Sequence, residues 1–330
     1  MVLAAGTGLR FYTSPNLIDW TPGGSIGYTE GLDIIWETPD LFRLRANDGT
    51  ARWVLTAGMS RGGPGGGSGT RYFVGEFDGR AFQAETPAEP PLWADFGGDF
   101  YAAQSWSDEP QGRRIWIGWM SNLVYSGATP TEGWRSVFSV PRVLSLAHTP
   151  EGLRMRQQPI AELAALRGPA QSWRDARVEP GTNLLAGASG RALEIVAAME
   201  PGAGCQRCGV RVLVGAGGHT EIGYDAQAGE LYVDRTRSGQ GDFHALFAAR
   251  HTAPLALPDG VLRLHILVDH CSVEVFGGDG VAVLSEQVFP APGSAGLELF
   301  AEGAAAQLHA LDLYELSAAQ FLPAPEKSGQ

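Results

Sequence analysis

Glu37 and Asp40 are the carboxylates best placed for chemistry, in the short stretch Trp36–Phe42. Glu37 follows a tryptophan and precedes a threonine and a proline, with Asp40 three residues further on. A carboxyl group packed against apolar rings loses hydration, which disfavours its charged form. A general acid that works near neutral pH needs such an environment. Glu37 is therefore a candidate proton donor. The alternative from these seven residues is a solvated glutamate at a strand end, with Asp40 as a cap.

Length, composition and charge narrow the class of protein. The chain of 330 residues is 44% hydrophobic, which is enough for two domains with real cores. Its formal net charge of −12 argues against nucleic acid as a partner, because nucleic-acid binding needs a basic face. The same charge gives no reason to expect binding to an anionic membrane. A neutral sugar is compatible with this net charge, and the side chains of the nine tryptophans could stack on sugar rings.

The first 149 residues predict an all-β domain. Short strand-like runs such as Leu9–Thr13, Trp53–Ala57, Tyr72–Phe77 and Ile115–Met120 alternate with turn signals. This pattern is typical of a sandwich, a barrel or a propeller, and aromatic-rich strands at this spacing suit propeller blades of about 40–50 residues each. The segment 1–149 then holds about three blades, whereas a propeller normally has at least four.

A different pattern follows residue 149. Apolar residues at helical spacing in Ile160–Arg167 predict a short helix within a linker over residues 150–172. The alternation of apolar and polar residues in Leu262–Val268 indicates a half-buried strand. Residues 173–318 are therefore expected to form a β-sandwich, followed by a flexible tail over 319–330.

Two motifs lack the rest of the pattern that a ligand site needs. The glycine-rich run 62–70 has no lysine of a phosphate-binding loop and precedes a strand, so it favours a loop at the rim of a β-domain. Cys205 and Cys208 form a C-x-x-C without a second ligand pair for zinc. We therefore expect no metal and no cofactor. Together with Cys271, these cysteines do not indicate a compartment.

Several stretches resemble the β-fructosidases of glycoside hydrolase family 32, which include invertases, inulinases and levanases. Trp36–Phe42 resembles the box around the acid/base glutamate of that family. Asp99–Trp106 and Arg114–Asn122 are similar to its later propeller strands. Val140–Leu146 resembles the close of its catalytic domain, and Asp269–Phe276 resembles a strand of its C-terminal sandwich. The similar stretches follow the order of the family over nearly the whole chain.

The resemblance implies an all-β fold with a five-bladed β-propeller, here about its last three blades, followed by a β-sandwich. It implies retaining hydrolysis of terminal β-fructosyl bonds in sucrose, inulin or levan. Glu37 is then the general acid/base, and Trp119, Trp36 and Asp99 are the candidate substrate-binding residues. Trp119 has an alternative role as a core residue of a central strand.

The chain departs from the family pattern in its carboxylates. The nucleophile of the family lies in an Asn-Asp-Pro box and a second aspartate lies in an Arg-Asp-Pro box, and neither box occurs in these 330 residues. Met1–Gly6 resembles the strand just after the second box. We therefore expect the C-terminal part of a β-fructosidase that is inactive by itself. A non-catalytic sugar-binding protein and a fructosyltransferase of the same fold are the two alternatives.

The first prediction concerns the gene. We expect the reading frame upstream of the Met1 codon to encode both aspartate boxes, in frame with the chain. Genomic sequencing across this region checks it. An in-frame stop codon and a promoter directly upstream of Met1 would contradict it.

Overall fold

The computed structural model of the chain describes residues 1–4, 6–27, 34–86 and 89–319, which form 24 strands, β1 to β24 in chain order, and three short 3₁₀ helices. The prediction of an all-β chain is confirmed. Within the described ranges, no helix is long and apolar enough to cross a lipid bilayer.

Three antiparallel sheets occupy the first half of the chain. The first contains β1 (Val2–Ala4), β2 (Gly8–Thr13) and β3 (Thr21–Gly27), in that order. The second contains β4 (Trp36–Arg45), β5 (Ala51–Met59), β6 (Gly69–Phe77) and β7 (Phe82–Ala84) in that order, with β8 (Leu92–Trp93) also paired to β6. The third contains β9 (Tyr101–Ser105), β10 (Arg114–Met120), β11 (Val137–Phe138), β12 (Arg142–Thr149) and β13 (Gly152–Pro159). In this third sheet, β10 pairs with β9 along one edge and with β11 and β12 along the other.

Neighbouring sheets pack face to face through two apolar clusters, as the blades of a propeller do. The cluster that joins the first and second sheets includes Leu9, Phe11, Trp36, Leu55 and Phe73. The cluster that joins the second and third sheets includes Phe42, Val54, Tyr72, Phe100, Trp116 and Leu144. Alternate strand residues supply these clusters because successive side chains point to opposite faces of a sheet. The three sheets are therefore three blades, as the sequence predicts.

The second half of the chain is a sandwich of two antiparallel sheets. One sheet has the order β14 (Gln171–Val178), β24 (Ala306–Glu315), β15 (Leu193–Pro201), β20 (Leu262–Asp269), β21 (Ser272–Gly277) and β22 (Ala282–Gln287). The other has the order β19 (Arg250–Pro254), β18 (Glu230–Asp234), β17 (Gly218–Asp225), β16 (Arg207–Gly215) and β23 (Gly296–Glu302). One large apolar cluster lies between the sheets and includes Cys205 and Cys208 as free thiols.

The structure shortens the linker that the sequence suggests over 150–172. Strand β13 pairs with β12 along its whole length, so residues 152–159 belong to the third blade. The predicted helix at 160–167 is a 3₁₀ helix over Ala161–Leu166, and the sandwich begins with β14 at Gln171. The other 3₁₀ helices are Ser126–Ala128 and Gly278–Gly280. Of the predicted tail, residues 320–330 lie outside the described ranges.

A propeller segment at residues 94–99 runs along the edge strand β22 of the sandwich. The amide of Phe96 donates to the carbonyl of Val283 over 2.8 Å, and the amide of Asp99 donates to the carbonyl of Ser285 over 3.0 Å. In the other direction, the amide of Ser285 donates to the Asp95 carboxylate over 2.8 Å. Backbone groups of β22 that an open edge would leave unpaired are thus paired by the propeller.

Arg142 is a fully buried cation between the two domains. Its Nη1 donates to Asp95 Oδ2 of the propeller over 3.0 Å, and its Nη2 donates to Glu274 Oε2 of the sandwich over 2.6 Å. Nη2 also donates to the hydroxyl of Ser285 over 2.6 Å, and the guanidinium lies 4.2 Å from the ring centre of Phe100. Burial raises the pKa of both Asp95 and Glu274, and the positive charge of Arg142 opposes that rise. Each buried charge is therefore matched only when the two domains are in contact.

A second buried group contains Arg235, which follows β18. Its guanidinium binds the Asp99 carboxylate of the propeller and lies 2.9 Å from Glu286 Oε2 of β22. His251 Nδ1 lies 2.6 Å from the other oxygen of Glu286, and Arg235 Nη2 donates to the hydroxyl of Tyr125 over 2.9 Å. Arg235 and Glu286 are inaccessible to solvent. The propeller and the sandwich thus share two groups of charged side chains.

The Arg142 group yields a prediction on stability. We expect Arg142→Leu to lower the free energy of unfolding by about 3–5 kcal/mol, because it leaves two buried carboxylates without their cation. Denaturant unfolding of the 330-residue chain measures this change. The control Arg52→Ala removes a surface pair with Glu85 (2.9 Å) and is expected to cost less than about 1 kcal/mol. Equal losses in both variants would contradict the prediction.

Candidate active site

Glu37 is the second residue of β4, immediately before a β-bulge. Glu37 lies opposite Gly58 of β5 and Asp40 lies opposite Thr56, so two residues of β4 face only one residue of β5. Thr38, in the bulge, has a φ of 45°, a left-handed conformation that is uncommon for a threonine. Pro39 has no amide hydrogen and therefore fits a position outside the regular ladder. The sequence Glu-Thr-Pro-Asp thus places a break in the regular strand directly after Glu37.

Asp40 holds the bulge against the neighbouring blade. Its Oδ2 accepts hydrogen bonds from the amide of Ser105 (3.0 Å) and the hydroxyl of Ser105 (2.5 Å), and its Oδ1 accepts one from the amide of Leu41 (2.8 Å). Gln104 Nε2 donates to the carbonyl of Thr38 over 3.0 Å. The second acid of the motif therefore connects β4 to β9, whereas the sequence suggested only a capping role for it.

Tyr101 is the direct partner of Glu37. Its hydroxyl donates to Glu37 Oε2 over 2.5 Å. Burial and the Glu37 carboxylate both raise the pKa of Tyr101 well above its ordinary value, so the phenol keeps its proton and acts as the donor. Ala102, the next residue, has a φ of 51°, and the pairing of β9 with β10 is irregular at this level. Both members of the pair are thus positioned by interruptions of regular strands.

Trp119 reaches this pair from β10. It lies opposite Tyr101 in the strand register, and the two rings meet edge to face with centres 6.4 Å apart. The next residue, Met120, is fully buried on the opposite face of the sheet, whereas Trp119 is only partly buried. Glu37, Tyr101 and Trp119 therefore form one continuous group. The assignment of Trp119 to substrate binding stays a prediction.

Trp36 lies beneath this group as part of the core. Its side chain is 4% exposed and stacks on Phe73, with ring centres 5.8 Å apart and planes 13° apart. The guanidinium of Arg71 lies 4.7 Å from the Phe73 ring and 5.8 Å from the Trp36 ring. These contacts place Trp36 in the cluster between the first and second sheets, and its assignment to substrate binding stays a prediction.

Asp99, a predicted substrate-binding residue, has a different role in the structure. Its carboxylate has no exposed surface and belongs to the buried group around Arg235 described above. It also accepts hydrogen bonds from the hydroxyl of Tyr125 (2.8 Å) and the amide of Gln287 (2.9 Å). A carboxylate with three donors inside the fold and no exposed surface is not accessible to a sugar hydroxyl. We therefore correct the role of Asp99 from substrate binding to joining the two domains.

The glycine-rich loop lies beside the connection between β10 and β11. Asn122 Nδ2 donates to the carbonyls of Gly66 (2.8 Å) and Gly98 (2.9 Å), and its Oδ1 accepts from the amide of Ser68 (3.3 Å). Gly67 has a φ of 79°, and a Cβ there would lie 2.3 Å from Asn122 Oδ1. Glycine is therefore required by close packing at Gly67, and the loop is held in place by side-chain contacts.

Sequence reasoning missed Tyr101 as a part of this site and Asn122 as the residue that holds the glycine-rich loop. Both residues lie in stretches that resemble propeller strands of a known family. The sequence does not show which residues they contact. The partner of Tyr101 lies 64 residues earlier in the chain, and the contact depends on two irregular strand pairings. This contact can be identified only once the register of the strands is known.

Comparison with family models covers nearly the whole chain. Residues 1–159 match the N-terminal domain of glycosyl hydrolases family 32, and residues 162–315 match the C-terminal domain of the same family. The chain belongs to glycoside hydrolase family 32. The boundary between these two matches agrees with the end of β13.

Individual members of family 32 are similar to the chain. It is 42% identical over 325 residues to a levanase of Bacillus subtilis, covering 96% of this chain and 48% of the levanase. It is 34% identical over 322 residues to an extracellular exo-inulinase of Aspergillus niger, covering 94% of this chain and 60% of the relative. The crystal structure of an exo-inulinase from Aspergillus awamori superposes with a TM-score of 0.86 at 30% identity, covering 96% of this chain and 64% of that one. The chain thus spans about half to two thirds of the length of these relatives.

The packing around Glu37 yields a prediction on stability. A Cβ at Gly58 would lie 2.9 Å from both Thr38 Oγ1 and Tyr101 Cε2, which is too close for unstrained contact. We expect Gly58→Ala to lower the free energy of unfolding by about 1–3 kcal/mol, because either the bulge or the Tyr101 ring must move.

Denaturant unfolding tests this prediction against Gly127→Ala. Gly127 lies in the 3₁₀ helix Ser126–Ala128, has no positive φ, and a Cβ there would meet nothing within 4 Å. The control is expected to change stability by about 0.5 kcal/mol or less. Equal stability of the two variants would show that the site tolerates the added methyl group.

Proposed function

We propose that this chain supplies the acid/base half of a retaining β-fructosidase active site, which hydrolyses terminal β-fructosyl bonds in sucrose, inulin or levan. The observation that carries the proposal is the Glu37 carboxylate, which lies directly before the bulge in β4 and accepts a hydrogen bond from the Tyr101 hydroxyl over 2.5 Å. Membership of family 32 and the names of the relatives, levanase and exo-inulinase, support the class of substrate.

Glu37 has two tasks in this mechanism. Protonated Glu37 gives its proton to the leaving oxygen as the fructosyl bond breaks, and ionised Glu37 later removes a proton from the water that releases fructose. A hydrogen bond from the Tyr101 hydroxyl fixes the orientation of the carboxylate. Trp119, edge to face with Tyr101, then forms an aromatic wall beside the fructose ring.

Retaining hydrolysis also needs a nucleophilic carboxylate about 5–5.5 Å from the acid/base carboxyl group. Asp40 does not fill this role, because both of its oxygens accept hydrogen bonds within the fold. The Asn-Asp-Pro and Arg-Asp-Pro boxes of the family are absent from the 330 residues. We therefore propose that these 330 residues alone bind sugar without hydrolysing it.

A chimera tests the proposal. The segment of the Bacillus subtilis levanase that carries the two aspartate boxes is fused before Met1, and fructose release from sucrose, inulin and levan is measured. We expect fructose release by the chimera and none by the 330-residue chain. Glu37→Gln in the chimera is expected to lower kcat by about 10²–10⁴-fold, because the amide cannot exchange a proton.

The exposed residue Asp48 offers the matched control, since Asp48→Asn makes the same chemical change and is expected to leave kcat unchanged. A Glu37→Gln chimera as active as the control would exclude Glu37 as the acid/base. Release of fructose by the 330-residue chain itself would show that a different carboxylate serves as nucleophile. Products longer than the substrate at high sucrose concentration would favour a fructosyltransferase.

A further inference from the structure

Cys205 and Cys208 bring two thiols together at one end of the sandwich core. Strand β16 begins at Arg207, so Cys208 is its second residue and packs in the core between the two sheets. Residues three positions apart in one regular strand would project from opposite faces. Cys205 instead lies before the strand, in a turn closed by a hydrogen bond from its own amide to the carbonyl of Gly202 over 2.9 Å. Both thiols therefore reach the same core, where they form a hydrogen bond with each other.

Backbone hydrogen bonds hold the segment between the two cysteines from both sides. The amide of Gln206 donates to the carbonyl of Glu302 over 2.8 Å, and the carbonyl of Gln206 accepts from the amide of Ala226 over 2.9 Å. Cys208 lies opposite Ala301 of β23 in the strand register. A disulfide forms without backbone movement only between cysteines whose side chains already approach each other. Two thiols held in contact by the fold meet this condition.

The two thiols differ in exposure and in acidity. Cys205 is 6% exposed and lies between the exposed residues Gly204 and Gln206, whereas Cys208 has no exposed surface. The hydrogen bond from the Cys208 thiol lowers the pKa of Cys205, against the effect of burial. The same hydrogen bond raises the pKa of Cys208, and burial adds to that rise. Because the thiolate is the reactive form of cysteine, Cys205 is the residue that reacts first with a small molecule from solvent.

We propose that Cys205 and Cys208 are a reversible modification site, at which a small hydroperoxide oxidises Cys205 and Cys208 then closes a disulfide. Both residues lie in the sandwich, so the proposal does not depend on the chemistry of Glu37. It assigns a role to the C-x-x-C motif that neither a zinc site nor the fructosidase site explains.

The reaction has two steps when the oxidant is hydrogen peroxide. The Cys205 thiolate attacks one oxygen of the peroxide, the O–O bond breaks, and Cys205 becomes a sulfenic acid while hydroxide leaves. The sulfur of Cys208 then attacks the sulfur of Cys205, and the proton of Cys208 leaves with the sulfenic hydroxyl as water. The dithiol thus gives two electrons to the peroxide, and a thiol reductant returns them.

A metal site and an inert pair of core residues are the alternatives. Across the ranges that the structure describes, no three side chains of cysteine, histidine, aspartate or glutamate are grouped as ligands for a metal ion. An inert pair would need neither contact between the thiols nor an exposed edge. Cys271, the remaining cysteine of the sequence, offers a matched control. It is more exposed than the other two, but burial raises the pKa of its thiol to about 11, which disfavours the reactive thiolate.

Treatment of the folded 330-residue chain with hydrogen peroxide tests the proposal. Free thiols are counted in denaturant with a colorimetric thiol reagent, and the disulfide is located by mass spectrometry of peptides. We expect the count to fall from the three thiols of the sequence to one, with a disulfide between Cys205 and Cys208, and to return to three after dithiothreitol. Cys271→Ala is expected to lose both of its remaining thiols, because the reactive pair is intact.

Dimedone, which traps sulfenic acids, separates the roles of the two cysteines. Alanine keeps a small apolar side chain in the core, where a free cysteine behaves as a small hydrophobe. Cys208→Ala removes the thiol that closes the disulfide, so we expect peroxide and dimedone to give a stable adduct at Cys205. Cys205→Ala is expected to give no adduct at Cys208.

Three free thiols in the unmodified chain after peroxide treatment would overturn the proposal, as would a disulfide that includes Cys271. An adduct at Cys208 in Cys205→Ala would also overturn it, because the buried thiol would then react directly with peroxide. The count on the unmodified chain needs no substitution, so the proposal can fail even if a variant does not fold.

Discussion

The buried charges between propeller and sandwich are the constraint on which the rest of the structure depends. Arg142 and Arg235 have lost all contact with water, and their carboxylate partners come from both domains. Removing these charges from water is costly unless every partner is present. Two of the carboxylates, Asp95 and Asp99, flank the segment that leads directly into β9. Docking of the domains therefore also fixes the start of the strand that carries Tyr101.

The site itself depends on irregular backbone rather than on regular strands. Thr38 and Ala102 both adopt left-handed φ values, one beside Glu37 and the other beside Tyr101. Glu37 and Tyr101 lie in different blades, so no strand ladder sets the distance between them. The bulge in β4 and the irregular pairing of β9 instead bring the carboxylate and the phenol to 2.5 Å. Hydrogen bonds from Ser105 to Asp40 hold this geometry across the gap between two blades.

The sequence predicted local features well and long-range contacts poorly. The sequence predicts the role of Glu37 because its motif is contiguous, and it predicts the strands because the alternation of apolar and polar residues is a local pattern. It does not predict the contact between Tyr101 and Glu37, since strand register and bulges depend on the whole sheet. Asp99 was misassigned because its partner Arg235 lies 136 residues later, and sequence reasoning treats an arginine as exposed. The short helix at 161–166 was found, but β13 was assigned to the linker.

Residues 94–99 of the propeller cover the edge strand β22 of the sandwich, and this contact limits the separation of the two domains by recombination. A sandwich encoded alone would present an open strand with unpaired backbone groups. Its buried acid Glu274 would lose Arg142, and Glu286 would lose the hydrogen bond from the amide of Gly98. Such an edge recruits strands from other copies. The sandwich is therefore not an interchangeable cassette that recombination can attach to unrelated proteins. Propeller and sandwich must change together, with substitutions on one side matched on the other.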